Sequence, residues 1–313
     1  MKLIVQIPCY NEEETIGLTV RDIPRNINGI DCVEILVIND GSNDKTVEAA
    51  KEAGVDYIVS HSGNLGLARA FETGLKKSIE SGADIIVNLD ADNQYKASDI
   101  PKLIRPLIDK KSDITIGARP IEMIKTFSPV KKILQKLGSC AIRKISGTDV
   151  QDAPSGFRAF TKEAAMKINI FDNYTYTMET IIQAQNKGLI IQSVPIGVNT
   201  CIRPSRLVKN NFDYIRRSAL TIIRFVIVYK PFKFFIKLSL FLFLFGALLG
   251  IRFLYFYLIQ NGSGHIQSLI LCAILILIAV QSVFFAVIAD LLAINRRLIE
   301  DIQIRIRKNE QRL

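Results

Sequence analysis

Residues 85–94 read Ile-Ile-Val-Asn-Leu-Asp-Ala-Asp-Asn-Gln, an apolar run that ends in two carboxylates. The run is short and β-rich, as expected of a strand that is buried on both faces of a parallel sheet. Asp90 and Asp92 would point to opposite faces inside a strand, but both can converge where the chain turns at its end. A hard divalent cation needs few protein oxygens beside water and phosphate, so the pattern indicates a metal site. The alternative is an ordinary surface turn, where Asp is common.

The rest of residues 1–118 alternates between strands and helices. Each strand is an apolar run bounded by turn residues, and the stretches between them have helical character. The predicted strands are 3–7, 34–38, 57–59, 85–89 and 114–117, and the predicted helices cover about 12–27, 43–53, 65–81 and 97–110. This order predicts an α/β fold with a mostly parallel central sheet and helices on both faces. In such a sheet, ligands bind beyond the carboxyl ends of the strands.

Polar clusters follow the first two strands at that same edge. Pro8-Cys9-Tyr10-Asn11-Glu12 follows the first strand, and Asn39-Asp40-Gly41-Ser42 follows the second. Asn64-Leu65-Gly66 begins a later helix. A carboxylate such as that of Asp40 can bond a nucleobase or a ribose, which favours a nucleotide pocket. Each cluster also has a structural explanation, since Pro ends strands and Asn, Asp, Gly and Ser form turns and caps.

Residues 119–200 are less regular. The part from 119 to 150 is basic and partly amphipathic, and it is either a helix packed on the domain or a helix at a membrane surface. Its apolar face would contain Ile124, Val130, Ile133, Leu134 and Leu137. Beyond it, the pattern predicts a helix near Met178–Lys187 and a strand from Ile190 to Val194.

Two long apolar runs, 234–258 and 266–289, occupy the C-terminal third. Each is near the length that crosses a bilayer, and both exceed an ordinary core helix. The link from Gln260 to His265 contains no Lys or Arg, whereas basic residues flank the pair on both outer sides. Positive-inside bias therefore predicts a transmembrane hairpin with both flanks in the cytosol. Arg252 lies toward the outer half, where it can snorkel to the surface.

Charge is divided unevenly along the chain. Residues 201–313 hold 16 Lys and Arg but 5 Asp and Glu, whereas residues 1–200 hold 24 and 25. A basic flank beside apolar segments indicates that the partner is an anionic membrane surface rather than nucleic acid.

The apolar run at the N-terminus is too short for a signal peptide. The five cysteines form no C-x-x-C pair, which is typical of reduced thiols without a metal or disulfide framework.

Four of these clusters form a set: PCYNEE from Pro8, NDGS from Asn39, NLG from Asn64 and DAD from Asp90. In this order and spacing they resemble glycosyltransferase family 2, whose members have the GT-A fold. The segment DAPSGFR from Asp152, together with DADNQ and the two apolar runs, resembles the polyprenyl-phosphate glycosyltransferases of that family, to which dolichyl-phosphate mannose synthase belongs. The resemblance extends over nearly the whole chain.

The resemblance implies a role for each matching residue. Nucleotide-sugar binding would involve Pro8, Tyr10, Glu12, Asp40, Asn64, Asp90, Ala91, Asp92, Gln94, Arg203 and Arg206. The metal, Mg²⁺ or Mn²⁺, would be held by Asp90, Asp92 and Gln94, and the acceptor phosphate by Arg119, Ser155 and Arg158. The catalytic residues would be Asp92, Asp152, Arg119 and Arg158, with Glu179 as a further candidate carboxylate.

Two positions depart from the family pattern. Many relatives have a second Asp at the position of Asn39, and Leu-Gln-His or Leu-Gln-Pro where this chain has Asn93-Gln94-Tyr95. These departures leave the donor sugar and its nucleotide, UDP or GDP, open.

The expected function is metal-dependent transfer of a hexose, with inversion, from a nucleotide-sugar to dolichyl or undecaprenyl phosphate. A phosphate monoester is mostly ionised at neutral pH, so it needs positioning by Arg rather than a general base. Two alternatives stay open: transfer to a sugar hydroxyl of a glycolipid or polysaccharide, and a non-catalytic nucleotide-sugar-binding membrane protein. The chain has no Trp and so lacks the Q-x-x-R-W motif of processive family members. No G-x-G-x-x-G follows a strand, which disfavours a dinucleotide dehydrogenase.

The expected organisation has four segments. Residues 1–210 would form a cytosolic GT-A catalytic domain, 211–233 a juxtamembrane amphipathic segment, 234–292 the transmembrane hairpin and 293–313 a basic cytosolic tail helix. The tail is either solvated or part of a homo-oligomer contact through the transmembrane and tail helices. The expected location is the cell membrane, with membrane lipids as partners and both termini in the cytosol.

Overall fold

The computed structural model describes residues 1–122, 129–170, 176–199, 226–228, 230–260 and 266–310. The strands are β1 (Lys2–Cys9), β2 (Cys32–Asn39), β3 (Tyr57–Ser60), β4 (Ile85–Asn88), β5 (Ile114–Ala118), β6 (Arg158–Thr161) and β7 (Ile191–Pro195). The helices are α1 (Ile16–Arg21), α2 (Thr46–Glu52), α3 (Leu67–Glu80), α4 (Ile100–Ile108), α5 (Pro129–Ser146), α6 (Lys162–Lys167), α7 (Thr177–Asn186), α8 (Pro231–Gln260) and α9 (Ile266–Glu310). All six strands predicted from the sequence are present.

The seven described strands form one sheet in the order β3-β2-β1-β4-β6-β5-β7. Every pairing is parallel except those of β6, which runs antiparallel to both β4 and β5. The expected α/β class with a mostly parallel sheet is therefore confirmed. The strand β6 was not predicted, because its four residues begin with Arg158, and a charged side chain inside a sheet gives no apolar signal.

Helices cover both faces of this sheet, which explains why β1 is buried at seven of its eight positions. On one face, Leu3, Val5 and Ile7 pack in a core with α1 and α4. On the other face, α3 packs against β1 and β2. A Cβ at Gly74 of α3 would lie 2.6 Å from Oε1 of Gln6, so this glycine allows the helix its close approach to the sheet.

The basic segment predicted at 119–150 contains α5. Its described buried side chains are Gln135, Ser139, Ile142 and Ser146, which recur at helical spacing, and α5 packs against α7. This contact supports the interpretation of a helix packed on the domain. The side chains predicted for its apolar face lie outside the described residues.

The chain divides into two compact units, the first formed by Met1–Ala219 and Arg307–Leu313 and the second by Leu220–Ile306. In the second unit, α8 and α9 are both long and apolar enough to cross a membrane. A Cβ at Gly246 of α8 would lie 3.2 Å from Cβ of Leu275 in α9, and Ser239 Oγ donates to the carbonyl of Ala279 at 2.8 Å. The two helices therefore pack side by side as a hairpin.

The helix α9 is longer than expected. It continues without a break for 45 residues, roughly 67 Å, so the predicted second span and the predicted tail helix are one element. The segment contains no Gly or Pro that would end the helix where its composition changes from apolar to charged. Most of the predicted juxtamembrane segment, residues 211–225 and 229, lies outside the described residues.

Candidate active site

The polar clusters predicted from the sequence do lie at one edge of the sheet. Cys9 at the end of β1 pairs with Asn39 at the end of β2, and Gln6 of β1 pairs with Asn88 at the end of β4. Because these strands are parallel, the loops that follow them leave the sheet on the same side. The segment from Asp90 to Gln94 is therefore next to the loops after β1 and β2.

Asp90 lies at this edge within electrostatic range of Asp92, Arg119 and Arg158. Burial and the charge of Asp92 raise its pKa, and Arg119 and Arg158 act in the opposite direction. Its Oδ1 is buried and has no hydrogen-bond partner among the described residues. A buried, unpartnered carboxylate oxygen is costly in the absence of a compensating group, and a bound cation is one group that would compensate it.

The turn after Asp90 is shaped by its own backbone and by Asn199. The backbone N–H of Gln94 donates to Asp92 Oδ1 at 3.2 Å, and Asn93 lies in the left-handed region with φ of 55°. Asn199 donates from its backbone to the Gln94 carbonyl at 2.9 Å and from its side chain to Asn93 Oδ1 at 3.1 Å. Nothing in the local sequence pattern indicated this role for Asn199.

These residues fit a divalent cation. Asp90, Asp92 and Gln94 carry oxygen atoms of the kind that Mg²⁺ and Mn²⁺ prefer, and Asp90 Oδ1 is buried with no hydrogen-bond partner among the described residues. Within the described part of the chain, no cluster of three or more His, Cys, Asp or Glu side chains forms a cage for an ion. Mg²⁺ is commonly bound through one or two carboxylates and takes its remaining ligands from water and a substrate phosphate.

Arg119 and Asp152, both predicted as site residues, form a salt bridge. Arg119 Nε donates to Asp152 Oδ2 at 2.7 Å, and its Nη2 donates to Oδ1 at 3.0 Å. The Arg119 guanidinium also lies 5.6 Å from the centre of the Tyr95 ring. Nη1 remains outside the salt bridge. The pair places a fixed cation beside Asp90.

Arg158, also predicted as a site residue, lies in the interior of the first unit. Its side chain is fully buried and donates to the carbonyls of Ala153, Ser155 and Thr177 at 2.6, 2.8 and 2.7 Å, and to the Thr180 hydroxyl. Burial lowers its pKa to about 10, so it stays charged at neutral pH. Arg158 thus braces the segment before β6 against α7.

Ser155 and Glu179 are also interior residues. Ser155 is fully buried, and its Oγ has no hydrogen-bond partner among the described residues. Glu179 is 2% exposed, and its Oε1 accepts from Gln183 at 3.3 Å. Arg203 and Arg206 lie outside the described residues. Arg119 and Arg158 are therefore the described arginines among the residues expected near phosphate, and both act on Asp90 electrostatically.

The loop after β1 borders a cavity of about 320 Å³. It is lined by Asn11, Glu12, Glu13, Glu14, Thr15, Asn43 and Asp44. The loops after β1 and β2 are joined by hydrogen bonds, such as that from Glu12 N to Thr46 Oγ1 at 2.8 Å. Pro8 is buried at the end of β1, whereas Tyr10 is 39% exposed and available to a ligand. Ala91 is buried and Asn64 is exposed.

Asp40 has a structural function that the sequence did not reveal. Its two carboxylate oxygens accept from the backbone N–H groups of Leu65 and Gly66 at 2.9 and 2.8 Å. His61 Nδ1 lies 2.7 Å from Asp40 Oδ1. Asp40 therefore holds the loop that leads into α3, and any contact with a nucleoside would add to these bonds.

The sequence profile of glycosyl transferase family 2 matches residues 4–168, more than half of the chain. The chain belongs to glycosyl transferase family 2. The match covers β1 to β6 and includes Asp90, Asp92, Arg119 and Asp152, so the residues assembled at the sheet edge lie within the family domain.

Two relatives have named activities. A UDP-N-acetylglucosamine–dolichyl-phosphate N-acetylglucosaminyltransferase from Methanococcus voltae is 33% identical over 212 residues, covering 61% of this chain and 82% of that protein. A dolichol-phosphate mannosyltransferase from Pyrococcus furiosus is 30% identical over 226 residues, covering 69% of this chain and 62% of that protein.

Solved structures confirm the GT-A fold. Glucosyl-3-phosphoglycerate synthase from Mycobacterium tuberculosis, in complex with Mn²⁺, UDP and glucosyl-3-phosphoglycerate, aligns with a TM-score of 0.54 at 20% identity. The alignment covers 71% of this chain and 79% of that one. At this identity the likeness shows the fold alone.

Proposed function

We propose that this protein transfers a sugar from a nucleotide-sugar to a polyprenyl phosphate, with inversion at the anomeric carbon. One observation carries the proposal. Asp90, with its unpartnered buried oxygen, lies with Asp92 and Arg119 at one sheet edge of a family 2 chain that continues into two helices long enough to cross a membrane. The relatives from Methanococcus voltae and Pyrococcus furiosus support a lipid phosphate acceptor, because both names include dolichyl or dolichol phosphate.

The reaction would be one direct displacement. A phosphate oxygen of the acceptor forms a bond to the anomeric carbon while the bond between that carbon and the nucleotide diphosphate breaks, and the diphosphate leaves with the electron pair. The acceptor is mostly a dianion near neutral pH, since the second pKa of a phosphate monoester is about 6. No general base is then required, and the protein contributes position and electrostatics.

Arg119 is the residue that we assign to the acceptor phosphate. The salt bridge with Asp152 fixes the plane of its guanidinium, and Nη1 stays outside that salt bridge. Asp152 acts through Arg119 as a positioning residue. Asp90, Asp92 and Gln94 would hold a divalent cation, which when bound stabilises negative charge on the departing diphosphate. Tyr10 and Glu12 would contact the nucleoside.

The membrane arrangement that we propose follows from charge. The helices α8 and α9 would form a transmembrane hairpin whose link faces outward, because the link has no Lys or Arg and the outer flanks are basic. The first unit would then lie in the cytosol, where nucleotide-sugars are made.

The experiment that tests the function is a donor screen. Membranes that contain the protein are incubated with radiolabelled UDP- and GDP-sugars and a polyprenyl phosphate, and lipid-soluble label is counted. We expect label from one donor class, its loss in Asp92→Ala, and its retention in the control Asp109→Ala, which removes a surface carboxylate paired with Arg105. Equal labelling of a polyprenol without phosphate would overturn the lipid phosphate as acceptor. Full activity of Asp92→Ala would overturn the site.

A further inference from the structure

The carboxylate of Asp90 occupies the space that a side chain at position 156 would need. A Cβ built on Gly156 would lie 2.4 Å from Oδ2 and 2.6 Å from Oδ1 of Asp90. The backbone of Gly156 is not in the left-handed region, so its conformation alone does not require glycine. What requires glycine here is the close contact with Asp90.

Three side chains hold the backbone of Gly156 from two sides. The Gly156 N–H donates to the Tyr95 hydroxyl at 2.8 Å. The Gly156 carbonyl accepts from Asn88 Nδ2 at 2.9 Å and from the Tyr176 hydroxyl at 3.4 Å. Asn88, Tyr95 and Tyr176 are hereafter the Gly156 clamp.

The members of the clamp are themselves fixed. Asn88 Oδ1 accepts from Gln6 Nε2 at 2.9 Å, and Asn88 Nδ2 also donates to the Tyr176 hydroxyl at 2.8 Å. The Tyr176 ring stacks on Phe71 with centres 3.8 Å apart. Asn88 and Tyr176 are fully buried and Tyr95 is 3% exposed. Buried polar groups that bond one another in this way are rigid, because each broken bond would leave an unpaired group in the interior.

By contrast, Asp90 has little of its own to orient it. Its Oδ1 is buried and accepts no hydrogen bond from the described residues. The close contact with Gly156 therefore limits where this carboxylate can lie.

We infer that the Gly156 clamp positions the Asp90 carboxylate for a divalent cation, so that metal affinity depends on side chains that never touch the metal. Tyr95 is the key member, because it bonds Gly156 through a single hydroxyl and belongs to the same turn as Asp90 and Asp92. The inference rests on the metal site of the proposed function. The competing explanation is that the clamp only stabilises the sheet edge.

The test is Mn²⁺ binding to the full-length, metal-free protein in detergent, without any acceptor. Free Mn²⁺ is measured by electron paramagnetic resonance during a titration, with Mn²⁺ alone and with UDP or GDP added. Loss of one neutral hydrogen bond is commonly equivalent to an about three- to tenfold change in an equilibrium constant. Tyr95→Phe removes the hydrogen bond between the Tyr95 hydroxyl and the Gly156 N–H, so we expect this variant to bind Mn²⁺ about three- to tenfold more weakly than the wild type.

The matched control is Thr115→Val, which also removes a buried hydroxyl, one that donates to the Leu103 carbonyl at 2.8 Å. Thermal unfolding of both variants measures the purely structural effect of losing a buried hydrogen bond. A structural role predicts equal losses of stability and unchanged Mn²⁺ binding in both. The positioning role predicts weaker Mn²⁺ binding in Tyr95→Phe alone, measured below the unfolding temperature of either variant.

Gly156→Ala is the stronger perturbation, since Asp90 must move, and we expect a larger loss of Mn²⁺ binding. If Gly156→Ala fails to fold, Tyr95→Phe still decides. Wild-type Mn²⁺ affinity in Tyr95→Phe would overturn the inference and leave the proposed function intact. Absence of Mn²⁺ binding in the wild type under all three conditions would overturn both the inference and the metal site. Failure of transfer to polyprenyl phosphate in the radiolabel screen would affect only the proposed acceptor.

Discussion

Arg119 and Asp152 form a two-pronged salt bridge that is almost fully buried, with 8% and 1% of their side chains exposed. Arg119 directly follows β5, and Asp152 lies in the segment that leads to β6. The pair therefore ties together two segments at the sheet edge and fixes the plane of the guanidinium. Because the salt bridge is buried, removal of either partner would leave the other as an unpaired charge in the interior.

Asp152→Ala should destabilise the first unit strongly. Removing one partner of a buried pair costs about 3–5 kcal/mol, because the remaining charge loses its compensation. The matched control is Asp109→Ala, whose partner Arg105 is 63% exposed. An exposed pair contributes about 0–1 kcal/mol. The measurement is denaturant unfolding followed by circular dichroism of the full chain in detergent. Equal midpoints for the two variants would show that the Arg119–Asp152 pair is not a stabilising contact.

Asp40→Asn should loosen the loop before α3. The Asp40 carboxylate accepts two backbone N–H groups and lies beside His61, and an amide offers only one oxygen in place of two. Hydrogen bonds to charged groups contribute about 1.5–3 kcal/mol, so we expect a loss of stability in that range. Affinity for UDP or GDP should fall with it. Unchanged thermal stability together with lost nucleotide affinity would instead identify Asp40 as a residue that reads the nucleoside directly.

The sequence predicted the parts of the fold whose signals are local. Apolar runs bounded by turn residues located six strands, and two runs near 25 residues located α8 and α9. The segment at β6 gave no such signal, because Arg158 begins it and its burial depends on carbonyls that only the folded chain brings together. The same limit applies to the phosphate role predicted for Arg158, since a lone arginine in a sequence does not show whether its partners are ligand or backbone.

The sequence predicted the two carboxylates of the site, but it did not predict the residues that hold them in place. Asp90 and Asp92 follow a strand, and the topology of parallel sheets locates them at the ligand edge. Gly156 lies 68 residues from Asn88 and 61 from Tyr95, so nothing in the local pattern connects them. Contacts of this kind depend on β6 lying beside β4, one of the two β6 pairings that the strand pattern could not predict.

Cys9 should resist alkylation while exposed Cys32 reacts. Burial raises the pKa of Cys9 to about 12, above its ordinary value of 9.0. The thiol therefore stays protonated, and hence unreactive, until the pH approaches that value, whereas Cys32 is exposed. Treatment of the native protein with iodoacetamide near pH 9, followed by peptide mass spectrometry, should find modified Cys32 and intact Cys9. After denaturation both should react. Rapid modification of Cys9 in the native protein would mean that the end of β1 opens readily.

The orientation of the hairpin is the prediction that connects charge to function. The helices α8 and α9 expose large apolar side chains, for example Phe241 at 66% and Phe284 at 66%, as expected of surfaces in contact with lipid. The link between them has no Lys or Arg, and the region beyond Asp290 carries Arg296, Arg297 and Arg305. Since cytoplasmic flanks retain positive charge, the link should be outside and the first unit inside.

Cysteine labelling of intact cells tests this orientation. In a chain whose native cysteines are replaced by serine, a single cysteine at Ser263, in the link, should react with a membrane-impermeant maleimide added outside. A single cysteine at Ser60, which is exposed at the end of β3, should react only after the cells are permeabilised. Ser60 is a suitable control because its exposure excludes burial as the reason for protection. Labelling of Ser60→Cys in intact cells, with protection of Ser263→Cys, would place the nucleotide site outside. That result would contradict a cytosolic nucleotide-sugar as donor, since such a donor would then be on the opposite side of the membrane from the carboxylates of Asp90 and Asp92.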